Sequence, residues 1–84
     1  MSIKVVYFAS LRESLGQGGE ELELPADVAT LEALRCHLAG RGEQWLALST
    51  TKNLRAAVNQ TMAGPAAPVK DGDEIAFFPP VTGG

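Results

Sequence analysis

Residues Thr30 to Ala39 carry a helical stripe long enough to need a surface to lie on, and runs with strand periodicity flank it on both sides. Leu31, Leu34 and Leu38 recur at i, i+3 and i+7, which puts all three on one face of a helix. Thr30 is a fitting N-cap, and Glu32 in the first turn and Arg41 just past the last both complement the helix dipole. Gly40 and Gly42 end the segment. A single amphipathic helix has to bury its stripe against something else, and the chain offers strands.

Ile3 to Phe8 is β-branched and aromatic with one charge, the pattern of a strand. Alternation places Ile3, Val5 and Tyr7 on one face and Lys4, Val6 and Phe8 on the other. Ser10 is then expected to cap a short helical turn, with Glu13 as its capping-box partner and Gly16 as the stop. Gln17-Gly18-Gly19 reads as a turn, and Glu20 to Leu24 alternates acid and apolar, as an edge strand with one wet face does. Pro25-Ala26-Asp27 breaks it.

Beyond the long helix, Glu43 to Leu48 reads as a short second helix, packing Trp45 and Leu48. Ser49 to Asn53 is a polar loop. Leu54 to Val58 is a third strand, in which Leu54, Ala56 and Val58 alternate with Arg55 and Ala57. Asn59-Gln60 turns into a short strand around Thr61 and Met62, and Gly64 to Pro68 is an irregular connection. Lys70-Asp71-Gly72-Asp73 is a tight turn in which Gly72 supplies positive φ. Glu74 to Phe78 is the last strand, with Ile75 and Phe77 inward and Glu74, Ala76 and Phe78 outward.

This order has no repeating strand–helix unit, which excludes a doubly wound sheet. It predicts an α+β fold in which a mixed sheet of about five strands grasps one main helix, the β-grasp or ubiquitin-like arrangement. The hydrophobic last strand belongs in the middle, beside and parallel to the first, and the acidic second strand at an edge. Residues 1–78 form the domain and 79–84 an extended tail. The fold alone decides no activity.

Charge and composition remove several function classes. A net charge of −3 and a pI near 4.9 give no pull toward nucleic acid or anionic membranes. No apolar run approaches the roughly 20 residues that span a bilayer, and no signal-peptide pattern opens the chain, so a cytoplasmic protein is expected. Cys36 is the only cysteine, which excludes an internal disulfide and an iron–sulfur centre that needs four. It lies about 140° around the helix from Leu31, off the buried stripe, and His37 beside it reads as a solvated helix residue. Asp71 and Asp73 are accounted for by turn chemistry, and no metal site is expected. With one histidine, one cysteine and no phosphate loop, the chain offers no catalyst of its own.

The chain closes on Phe77-Phe78-Pro79-Pro80-Val81-Thr82-Gly83-Gly84. Pro79 and Pro80 remove two backbone donors and fix φ, which stops the strand and stiffens the start of the tail. Val81, Thr82, Gly83 and Gly84 then taper to bare backbone. Six residues from Pro79 could reach roughly 20 Å if fully extended, through a channel too narrow for bulky side chains. Phe8 and Phe78 each end a strand and point away from the helix, which predicts an exposed aromatic pair at the root of the tail.

The Ile3-Lys4-Val5 opening, Thr30 followed by Glu32-Ala33-Leu34-Arg35, Ala56-Ala57-Val58-Asn59-Gln60, Asp71-Gly72-Asp73-Glu74 and the Pro-Pro-Val-Thr-Gly-Gly end together resemble the ubiquitin-like sulfur carriers, and most closely the family of molybdopterin synthase small subunits. The resemblance implies a non-catalytic, sulfur-donating subunit with its chemistry at Gly84. An ATP-dependent activating enzyme of the E1-like class would adenylate the terminal carboxylate, and sulfur would replace AMP to leave a thiocarboxylate. No cofactor would be held permanently; the acyl-AMP and thiocarboxylate at Gly84 are transient. The tail, Pro79, Pro80, Val81, Thr82 and Gly83, would thread the active site of the large synthase subunit, in a heterotetramer of two small and two large chains. There it would give sulfur to a cyclic pyranopterin precursor of the molybdenum cofactor. Phe8 and Phe78 would dock that subunit, with Arg12 and Met62 at the rim. The thiamine-type carriers also end in Gly-Gly but typically lack the Pro-Pro segment. They and a non-transferring ubiquitin-like interaction module are the alternatives.

Overall fold

The computed structural model describes residues 2–50 and 54–79. Its elements run β1 (Ser2–Tyr7), α1 (Ala9–Leu15), β2 (Gly19–Glu23), α2 (Leu31–Ala39), a 3-10 turn (Glu43–Leu46) continuing into α3 (Ala47–Thr50), then β3 (Arg55–Val58), β4 (Thr61–Ala63) and β5 (Glu74–Phe78). The five strands form one sheet in the order β2-β1-β5-β3-β4. β5 is central and runs parallel to β1, with Tyr7 opposite Phe77, and acidic β2 lies at an edge. This is the expected β-grasp.

One face of the sheet carries the core. Ile3, Val5, Tyr7, Ile75 and Phe77 are buried against Leu31, Leu34 and Leu38 of α2, with Leu11 and Leu15 of α1 and Trp45 and Leu48 closing the ends. The Thr30 hydroxyl accepts from the Ala33 N–H at 3.2 Å, the cap expected from the sequence. The irregular run after β4 has a related use. Its Ala67 and Pro65 carbonyls accept from the Leu31 and Glu32 N–H groups at 3.0 and 2.9 Å, satisfying donors that a helix start leaves unpaired.

At α1 the outcome differs from expectation. Ser10 lies inside the helix and is not its cap; Phe8 holds the cap position and no side chain caps it. The reason is Ala9, whose φ of 53° turns the chain at once, so that the Phe8 carbonyl accepts from the Leu11 N–H at 3.1 Å. Gly16 does end the helix, in the left-handed conformation. The second helix is also split: Glu43 to Leu46 is wound more tightly than the α-helical turn after it. Trp45 and Leu48 are buried as expected.

A four-residue cluster ties the hairpin edge to the end of α2. The Tyr7 hydroxyl donates to Glu20 Oε2 at 3.0 Å, and the same oxygen accepts from Arg41 Nη1 at 2.7 Å. The Arg41 guanidinium sits 4.7 Å from the centre of the Trp45 ring, which meets Tyr7 edge-on at 5.6 Å. Burial first, then the bond to Glu20, raises the Tyr7 phenol above its ordinary pKa, so it remains a donor across the physiological range. Glu20→Ala strands that buried donor and is expected to cost about 1–3 kcal/mol in urea unfolding. Adding Tyr7→Phe removes the stranded donor and should recover most of that loss. A second large loss on adding it would contradict this assignment.

Asp71 and Asp73 serve the turn. Asp71 Oδ1 accepts from the Ser2 N–H at 2.6 Å, Asp73 Oδ2 accepts from the Lys70 N–H at 2.8 Å, and Gly72 has φ 85°. Among the described residues no group of three or more histidine, cysteine, aspartate or glutamate side chains is placed to hold a metal ion. No helix among them is long and apolar enough to cross a membrane.

Candidate docking face and carrier terminus

The sheet face turned away from α2 is built by alternation. Lys4 and Val6 of β1, Glu74, Ala76 and Phe78 of β5, and Arg55 and Ala57 of β3 alternate with the residues that line or flank the core. Register stacks the outward residues in bands. Phe8 follows Tyr7, whose partner is Phe77, and Phe78 pairs with Arg55, which makes the band nearest the tail. The next band runs Gly19, Val6, Ala76, Ala57, Met62, straight across all five strands. The far band is charged: Glu21, Lys4, Glu74, with Lys4 Nζ 4.0 Å from Glu74 Oε2.

Phe8 is 48% exposed and Met62 55%, while Phe78 is half-buried. Neither ring belongs to the buried core. The Phe8 N–H donates to the Phe77 carbonyl at 3.2 Å, which holds the two strand ends together just before β1 leaves the sheet. Arg12, exposed on α1, folds back over Gly18, where an added Cβ would lie 3.2 Å from its Nε. It therefore stands at the β2 side of the aromatic band, and Arg55 stands at the β3 side. Met62 sits across the sheet from both rings, on edge strand β4.

Pro79 follows β5 and is half-buried. Pro80, Val81, Thr82, Gly83 and Gly84, which the sequence assigns to the threading tail and the reactive end, lie outside the described residues. Cys36 and His37 are exposed on α2, away from this face.

Strand alternation points to Phe8 and Phe78, and the family resemblance adds Arg12 and Met62; neither singles out Val6, Ala57, Ala76 and Arg55. The signal for them was present. Once Leu54, Ala56 and Val58 are taken as the residues facing the helix, Arg55 and Ala57 must face the other way. Together these residues give an apolar patch with charge at its margin, the composition of a protein interface.

A family model described as the ThiS family matches residues 5–84. The molybdopterin synthase sulfur carrier subunit of Escherichia coli is 49% identical over 98% of this chain and 99% of its own. This chain belongs to the ThiS family. Solved structures agree on the fold of this ThiS-family chain. Small archaeal modifier protein 1 of Haloferax volcanii superposes with a TM-score of 0.77 at 27% identity, covering 100% of both chains. A complex of subunits 1 and 2 of the molybdopterin-converting factor from Helicobacter pylori contains a chain that matches with a TM-score of 0.66 at 25% identity, again over 100% of both. Within the family, this member's likeness to molybdopterin synthase carriers spans nearly its whole length.

Proposed function

We propose that this protein is the sulfur carrier of molybdopterin synthase, a cytoplasmic protein whose reacting group is the Gly84 carboxylate. The observation that carries the reading is the 49% identity, over nearly full length, to a carrier subunit of that name. It is joined to a sequence that ends in Pro-Pro-Val-Thr-Gly-Gly. The complex formed by the Helicobacter pylori neighbour supports a large-subunit partner.

A carboxylate is a poor electrophile because neither oxygen leaves easily. An ATP-dependent activating enzyme makes the mixed anhydride with AMP and releases pyrophosphate; a sulfide equivalent then displaces AMP. The product is a thiocarboxylate, which keeps sulfur nucleophilic and attached to a protein that can be recognised. The large subunit receives the tail, and the sulfur passes to a cyclic pyranopterin phosphate on the way to its dithiolene. Hydrolysis of the acyl group returns Gly84 to a carboxylate. Two carriers and two large subunits form the working assembly.

In this reading the domain supplies address and reach. Phe8 and Phe78, with Arg12 and Met62 at the rim, seat the partner at the root of the tail, where buried aromatics contribute most to binding. From Pro79, five further residues extend at most roughly 17 Å, enough to carry a terminal atom into a partner's active site. Glycine at positions 83 and 84 keeps that end no wider than backbone.

Mass spectrometry of the intact chain incubated with the activating enzyme, ATP and a sulfide source tests the reading. The expected product is heavier by the exchange of one oxygen for one sulfur, with the change located at Gly84. An unchanged mass, or sulfur found on Cys36 instead, would overturn it.

A further inference from the structure

We propose that the free tail rests against its own domain, with Val81 in a cleft between α2 and strands β3 and β4 and the Gly84 carboxylate on Arg35. This rests on the carrier reading above and gives its reacting end a resting position, on the helix side of the sheet. Coverage on that side is uneven, because the sheet is wider than the helix. Val5, Ile75 and Phe77 on β1 and β5 are buried, whereas Leu54, Ala56 and Ala63 on the β3–β4 side are only half-buried. Phe77, Ala56 and Ala63 are register partners across three strands, so the inner surface steps down from a ring to two methyl groups. Leu31 bounds the same space from the helix, and the cleft between them measures about 240 Å³.

Apolar walls and one unanswered charge define what fits. Arg35 lines the cleft and is half-buried, yet among the described residues its guanidinium has no hydrogen bond and no ion pair. Arg41, by contrast, is held by Glu20. A guanidinium partly withdrawn from water gains more from a carboxylate than a fully exposed one does. The matching ligand is a short apolar segment that ends in an anion. This chain carries one beside the cleft: Val81 and, three residues on, the terminal carboxylate of Gly84. Leu54 lies one step beyond the Arg55–Phe78 pair, so Pro79 leaves β5 at the edge of the cleft that Leu54 lines. Five residues beyond Pro79 extend at most roughly 17 Å, enough to turn and cross an opening of this size. Glu32, exposed on the same rim in the first turn of α2, repels the carboxylate and leaves Arg35 as its partner. Tethering decides the balance. A short linker gives an effective concentration in the millimolar range, so a contact of only millimolar strength is about half occupied. A tail held this loosely adds little to the stability of the domain, and a partner's binding draws it out.

The test uses the full chain. Nuclear Overhauser spectra at two protein concentrations should show the Val81 methyls in contact with Leu54, Ala56 and Ala63, equally at both. Carboxypeptidase release of Gly84 gives a second readout. With half of the tails at rest in the cleft, Arg35→Gln should raise the release rate about twofold, because the accessible fraction doubles. Ala63→Leu, which fills the cleft, should do the same and remove the Val81 contacts. Arg12→Gln, the same change of charge away from the cleft, should leave the rate unchanged. Missing Val81 contacts, or equal release from the parent and Arg35→Gln, would overturn the resting position. Contacts that grow with concentration would also overturn it, since they put the tail of a second copy in the cleft. Any of these results leaves the carrier reading standing if Gly84 still takes up sulfur. A chain that rests its tail in the cleft but gains no sulfur would instead overturn that reading.

Discussion

Truncating Leu34 to alanine is expected to cost about 2–5 kcal/mol, the usual loss for a buried leucine. Leu34 is 0% exposed and lies midway along the α2 stripe, against the sheet. Removing its branched end leaves a cavity bounded by one main helix and one sheet, and no second core can shift to fill it. Total stability in a domain this small is of order 5–15 kcal/mol, so the loss is a large share of the whole. The thermal midpoint should fall by about 10 °C or more, given roughly 4–8 °C per kcal/mol in chains of this length. Cys36→Ser, two residues along on the solvent side of the same helix, is the control and should move the midpoint little. Equal losses from the two would mean that α2 does not seat its leucine stripe on the sheet.

The features legible in the sequence are those set by local signals. The Leu31, Leu34 and Leu38 stripe, the Thr30 cap and the inward Ile75 and Phe77 are each set by periodicity or by a neighbour within a turn, and each is found as expected. The central place of β5 agrees with its apolar sequence, and the edge place of β2 with its acids. Conformations and pairings that depend on distant contacts stayed hidden. Ala9 adopts positive φ because β1 must leave the sheet immediately after Phe8; nothing in an alanine announces that. Ser10 and Glu13 fit a capping box in isolation, and the tertiary path overrides it. The Pro65 and Ala67 carbonyls that complete the start of α2 come from some thirty residues further along the chain. The row Val6, Ala76 and Ala57 exists only through register between strands far apart in sequence. Each residue is ordinary alone, and their alignment makes the surface.

The other large effect concerns Gly84. Deleting it should leave thermal unfolding unchanged, since Phe77 is the last buried core residue among those the structure describes. It should nevertheless abolish product formation. Removing one residue draws the terminal atom back by about 3.3 Å, and a displacement of about 1 Å can already cost about a hundredfold in a positioned reaction. Gly83→Val should also impair transfer, but by another route: a β-branched side chain narrows the allowed backbone and widens the tail where only backbone is meant to pass. Pro79→Ala is expected to be milder, loosening the run from β5 without shortening it.

The most direct test bypasses activation. The full chain and the Gly84-deleted chain are each thiocarboxylated chemically at their own C-terminus and mixed with the large subunit and the pyranopterin precursor, and sulfur transfer is followed in a single turnover. If the domain docks and the tail measures out the distance to the acceptor, the full chain transfers its sulfur while the shortened chain binds but does not. Equal transfer from both would contradict the claim that tail length places the sulfur.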